Sequence, residues 1–189
     1  MKNIYLIGVG GQGIGLLSEV LIRAADYAGY NVLGVDTHGL AQRGGTVESF
    51  IRLGKDIHSP LFPSGEADLV IALEKHEALR GLEKYSKARS SLVYYEAEWQ
   101  PLAVRQNQAA ALKNEQLSAL AKAEKISLHR VFKEDLAEAR QQNMVILAYL
   151  AHNQIIPQIS VEHYKKAIKD LMQGKKLQSN LALFDGLLK

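Results

Sequence analysis

Short unbroken apolar runs alternate along this chain with longer stretches that carry apolar residues at helical spacing. Ile4–Ile7 is the first run. After a glycine turn comes Ile14–Tyr27, in which Leu17, Val20, Leu21 and Ala24, continuing to Ala28, form one stripe. That stripe predicts a helix pressed onto a sheet, closed by Gly29. Tyr30-Asn31 leads into a second strand, Val32–Val35, and Thr46–Leu53 reads as a third. Ser59–Gly65 holds two prolines and a glycine, so it is a loop. Asp68–Leu73 is continuously apolar after its aspartate, the composition of a strand covered on both faces. A short helix over His76–Tyr85, a strand at Ser91–Tyr95, an exposed helix over Leu112–Lys125 and a last strand at Ile126–Phe132 follow. Lys133–Arg140 is expected to begin a helical stretch. Asn143–Leu150 reads as a buried helix, Pro157 separates it from Val161–Met172, and Leu181, Leu183 and Phe184 are apolar enough to dock. Strands alternating with helices predict an α/β fold: a three-layer α/β/α, doubly wound, Rossmann-like arrangement with a mainly parallel sheet. Residues 1–189 are expected to form a single domain.

Composition removes several functions. The chain has no cysteine, which excludes disulfides, thiolate zinc sites, a cysteine nucleophile and a self-ligated iron–sulfur cluster. Lys+Arg 23 against Asp+Glu 20 leaves a net charge of +3, too mild an excess to argue for nucleic acid. Lys165, Lys166, Lys169, Lys175 and Lys176 make the most basic neighbourhood and read as the solvated face and exit of a helix. No signal-peptide pattern and no long apolar stretch is present, so no membrane association is expected and the cytoplasm is the default location. G-x-S-x-G, H-E-x-x-H and a G-K-[ST] phosphate loop are all missing. His76-Glu77 lacks a second histidine at metal-binding spacing and reads as surface helix. Asn143 reads as core.

The candidate chemistry lies in two glycine-rich turns. Gly8-Val9-Gly10-Gly11-Gln12-Gly13 follows the first strand and opens the first helix. There glycines let the backbone approach an anion while the helix N-terminus offers unpaired N–H groups. Asp36, at the end of strand two, stands about where an acid would hold an adenosine ribose, so a self-sufficient NAD(P)- or nucleotide-binding protein is one reading. The same glycines also suit close helix–strand packing. The second turn, His38-Gly39-Leu40-Ala41-Gln42-Arg43-Gly44-Gly45, is what departs from a dinucleotide pattern. Arg43 can fork onto a carboxylate or phosphate, or equally form a buried structural ion pair. Gln42 can donate and accept, and His38 titrates near neutrality, though a lone histidine more often serves structure. Gly44 and Gly45 clear side chains from the backbone. The two turns are expected to form one concave edge at the carboxyl ends of neighbouring strands. No catalytic or metal-binding residue is assigned.

With these residues in place, the chain resembles the gamma subunits or domains of 2-oxoacid:ferredoxin oxidoreductases, and within them the beta subunit of the indolepyruvate branch. The resemblance rests on both glycine turns with Val47 and Arg52, on Ala67–Glu74 and Glu77–Arg80, on Asn143-Met144 and on Asn180–Gly186. It is strongest over Ile4–Gly54 and thin between Glu96 and Lys125; Ala148 stands where the family often has glycine. It implies a subunit without its own cluster, paired with a larger chain that bears thiamine diphosphate and iron–sulfur clusters and passes electrons to ferredoxin. It also implies that the glycine turns and Arg43 meet an anion, either a phosphate of coenzyme A or a carboxylate of the partner. A homodimer binding some other anion uses the same turns.

Overall fold

The computed structural model describes residues 2–37, 44–98, 104, 106 and 110–188. Its elements run β1 (Lys2–Val9), α1 (Ile14–Tyr27), β2 (Val32–Thr37), β3 (Thr46–Leu53), β4 (Ala67–Ala72), α2 (Lys75–Tyr85), β5 (Ser86–Tyr95), α3 (Asn114–Ala123), β6 (Ser127–Val131), a 3-10 turn (Ala139–Gln141), α4 (Gln142–His152), α5 (Val161–Leu171) and α6 (Gly174–Gly186). The six strands form one sheet in the order β2-β3-β1-β4-β5-β6. β1, β4, β5 and β6 pair in parallel, whereas β3 runs antiparallel to both β1 and β2.

The sheet is therefore mixed, and β3 lies between β1 and β2. This corrects the expectation that the two glycine turns cap neighbouring strands: β1 and β2 are not adjacent. The second turn links β2 to the reversed β3, and the two turns meet because the start of β3 lies beside the end of β1, Val9 opposite Thr46.

Alternation along the strands divides the core. Ile4, Leu6, Ile51, Leu69, Ile71 and Val93 face α1, α4, α5 and α6. Tyr5, Ile7, Phe50, Val70, Ala72 and Leu92 face α2 and α3. Burial on both sides is why β1 and β4 read as unbroken apolar runs. Tyr5 stacks on Tyr85 with ring centroids 4.0 Å apart, and Phe62 from the proline loop reaches Phe50 at 5.3 Å. Beneath α1, the hydroxyls of Ser18 and Ser49 pair at 2.8 Å, so neither is left unsatisfied in the core.

The expected helix over Lys133–Arg140 does not form. The backbone stays irregular there, with Asp135 at φ 57°, and tightens only into the 3-10 turn Ala139–Gln141. The mixed tail, in which only docking residues were anticipated, forms α6, and Phe184 on it is fully buried.

Candidate functional site

The site grows from the end of β1. Gln12 folds back on its own turn: its Oε1 accepts from the Val9 N–H at 2.8 Å, and its Nε2 donates to the Leu73 carbonyl at 3.2 Å. The side chain thus acts as a surrogate peptide joining the ends of β1 and β4, and it is only 7% exposed. A Cβ on Gly8 would lie 2.9 Å from Gln12 Oε1, which explains the glycine there. Gly11 and Gly13 adopt left-handed backbone, φ 105° and 88°. Gly13 caps α1 without any side-chain hydrogen bond, and the first turn of α1 carries no acid. The positive end of the helix is thereby open to an anion.

The second turn docks onto the first through the backbone. The Gly10 N–H donates to the Gly45 carbonyl at 2.8 Å, and the Gly44 N–H donates to the Gly10 carbonyl at 3.4 Å. His38, Gln42 and Arg43 lie outside the described residues. Asp36 sits on β2 with Oδ2 facing Gly15 of α1, 3.4 Å from where a Cβ would be. It is absent from the described residues that line the cleft below, and β3 separates its strand from β1. A ribose-binding acid in a dinucleotide fold stands on the strand next to the glycine turn; Asp36 is one strand further out.

The wall opposite the glycines comes from the last third of the chain. Asn143, at the start of α4 and fully buried, donates through Nδ2 to the carbonyls of Gln12 at 3.2 Å and Gly13 at 3.0 Å. It is therefore a support of the glycine turn as well as a core residue. Arg140 Nε donates to the Gly11 carbonyl at 3.1 Å. Together these residues enclose a cleft of ≈350 Å³, floored by Val9–Gly11 and Gly13–Leu16, flanked by Val47, and walled by Glu138, Arg140, Gln141, Asn143, Lys176 and Asn180. Gln141 Nε2 holds Ser179 Oγ at 3.0 Å, tying the 3-10 turn to α6. Arg140 and Lys176 are exposed, and no ion pair engages either among the described residues. An open helix N-terminus, two cations and a row of amides suit an anionic ligand that also carries hydrogen-bonding groups.

Sequence reasoning found the glycine turn and missed Arg140, Lys176 and Asn180. Lys176 belongs to the basic run at the helix exit, but nothing local marks it as facing the glycines. On the opposite face, His76 and Glu77 are not ordinary surface residues. Glu77 is 6% exposed and Glu74 is fully buried; His76 Nδ1 lies 2.8 Å from Glu74 Oε1. Glu74 caps α2 by accepting from the Glu77 N–H at 2.9 Å. Burial raises the pKa of Glu77; Arg80 acts against the rise, and Glu74 and Glu48 add to it. Among the described residues no group of His, Cys, Asp and Glu is placed to hold a metal, and no helix is long and apolar enough to cross a membrane.

Residues 3–186 match the family model for pyruvate ferredoxin/flavodoxin oxidoreductase. The chain is 34% identical over 186 residues to the indolepyruvate oxidoreductase subunit IorB of Archaeoglobus fulgidus, covering 95% of this chain and 90% of that protein. It is 33% identical over 189 residues to IorB of Pyrococcus horikoshii, with 97% and 92% covered. Among solved structures, it superposes on a keto/oxoacid ferredoxin oxidoreductase gamma subunit from Geobacter sulfurreducens with a TM-score of 0.66 at 17% identity, covering all of this chain and 96% of that one. It also superposes on 31% of the 2-oxoglutarate:ferredoxin oxidoreductase from Magnetococcus marinus, solved with 2-oxoglutarate, coenzyme A and succinyl-CoA bound; 99% of this chain is covered, with a TM-score of 0.71 and 18% identity.

Proposed function

The chain belongs to the pyruvate ferredoxin/flavodoxin oxidoreductase family, and we propose that within it the chain is the cluster-free small subunit of an oxidoreductase acting on indolepyruvate or another aryl pyruvate. In this reading residues 1–189 are one gamma-type domain of a cytoplasmic complex. The partner is a larger chain carrying thiamine diphosphate and iron–sulfur clusters. That chain decarboxylates the 2-oxoacid and delivers electrons to ferredoxin, while the acyl group passes to coenzyme A. The zero cysteine count supports a division of labour in which this subunit carries no cluster.

The observation that carries the role of this chain is the cleft between the Gly10–Gly13 turn and Arg140, Asn143 and Lys176. The reading is that it takes an anionic part of coenzyme A. The open end of α1 orients the charge, Arg140 and Lys176 neutralise it, and Asn143 holds the turn in shape. The groups named do no bond-breaking chemistry; they bind and orient.

Two measurements test this. Affinity purification from the native cell should recover a thiamine-dependent partner with iron–sulfur absorbance, and recovery of neither removes the basis of the reading. In the purified complex, Arg140→Ala should raise the KM for coenzyme A by roughly 10-fold, the loss of one charge-assisted contact, with kcat for the aryl pyruvate little changed. If the KM stays fixed while the two chains dissociate more readily, the cleft receives a carboxylate of the partner instead.

A further inference from the structure

Thr46 follows directly on the Gly44-Gly45 turn and opens β3. Its hydroxyl accepts a hydrogen bond from the Arg80 guanidinium and lies 3.4 Å from Glu77 Oε1, to which it donates. Arg80 in turn reaches Glu77 at 3.3 Å. The turn is thus held on two sides: by Gly10 through two backbone hydrogen bonds, and by α2 through Thr46. Val47, the next residue, lines the cleft.

We propose that Glu77 is the positioning residue that seats the second glycine turn against the first, and that it does so as a carboxylate, so that the β3 wall of the cleft is linked to a proton. As a carboxylate, Glu77 accepts from the Thr46 hydroxyl and pairs with Arg80. Protonation removes the charge that orients Arg80 and leaves Glu77 a weaker, neutral acceptor, so both contacts of Thr46 with α2 weaken together. The pairing of Gly44 and Gly45 with Gly10 is then backed only by the strand ladder that sets Thr46 opposite Val9, without the side-chain tether to α2. The functional consequence, a change in the cleft, rests on the cleft being the binding edge argued above.

Charged and titratable groups face Glu77 from several elements. Glu74 faces it from the N-cap of α2 and Glu48 from β3, both disfavouring its ionised form, while Arg80 favours it. The Tyr5 hydroxyl on β1 donates to Glu48 at 2.5 Å, and Lys84 approaches Glu48 at 4.0 Å, so Glu48 has partners of its own. His76 is held by Glu74. Burial is the largest influence on Glu77 and pushes its carboxyl above the ordinary range.

The test needs neither ligand nor partner. In amide spectra of the isotope-labelled full chain, Gly10, Gly44 and Gly45 should shift together through one titration step, with a midpoint above that of an ordinary glutamate. The step should be lost in Glu77→Gln and in Thr46→Val, and kept in His76→Gln. Glycine signals that stay flat in the wild type, or that titrate with an unchanged midpoint in either of the first two variants, overturn the proposal. Because coenzyme A is absent from the experiment, failure here leaves the proposed function untouched, and failure of the coenzyme test leaves this proposal standing.

Discussion

Gly11 and Gly13 share a left-handed backbone but not a neighbourhood. A Cβ on Gly11 would meet nothing within 4 Å, whereas one on Gly13 would lie 2.7 Å from Asn143 Nδ2. Gly11→Ala should therefore cost only the backbone term, about 1–2 kcal/mol. Gly13→Ala should cost about 2–4 kcal/mol, because Asn143 must also release two carbonyls; urea denaturation of the two variants checks the ranking. Glu77→Gln makes a separate prediction about pH. Below ~4.3, where a glutamate in the unfolded chain is protonated, the Glu77 carboxyl is neutral in both states and imposes no penalty. Its folded pKa is raised, so stability is lost as pH rises through that higher value. Between ~4.3 and that higher value the wild type should lose thermal stability with rising pH more steeply than Glu77→Gln, which lacks the titrating group. The spacing of Gly8, Gly10 and Gly13 after a strand was readable because the motif is local. The task of Gln12 was not, since its partner is the carbonyl of Leu73, 61 residues away.

At the scale of elements, the first helix and third strand were legible to the residue, because glycines flank both, Gly13 and Gly29 the helix and Gly45 and Gly54 the strand. The helix has a regular apolar stripe, whereas the strand alternates only imperfectly. The reversal of β3 was not legible. Direction leaves no mark in apolar content, and a strand buried on both faces reads the same either way. The loop before Ala139 was mistaken for helix because its charged residues have good helical propensity; its tertiary task is to bring Arg140 over Gly11. Gly81 in α2 shows propensity and packing in opposition. Alanine there gains about 1 kcal/mol of helix propensity. Its Cβ, however, would sit 2.8 Å from Val70 Cγ1 and 3.3 Å from Ile7 Cγ2, both branched and buried. Overpacking of this kind costs about 1–3 kcal/mol, so Gly81→Ala should lower the denaturation midpoint, despite improving the isolated helix.

At the scale of the molecule, α6 joins the core to the site: Phe184 is fully buried near Tyr164, while Lys176 and Asn180 of the same helix wall the cleft. Phe184→Ala should cost about 3–5 kcal/mol, read in thermal melts, and loosen that wall as well; under the proposed function the KM for coenzyme A should rise with it. The hydrogen bonds that complete the glycine turn span 129 to 131 residues. During synthesis at ~5–20 residues per second, the turn therefore emerges roughly six to twenty-six seconds before the segments that close over it. A nascent chain shows a bare glycine bend long before its wall exists, and a ribosome stalled ahead of α4 would hold residues 1–141 without the Asn143 that braces the bend.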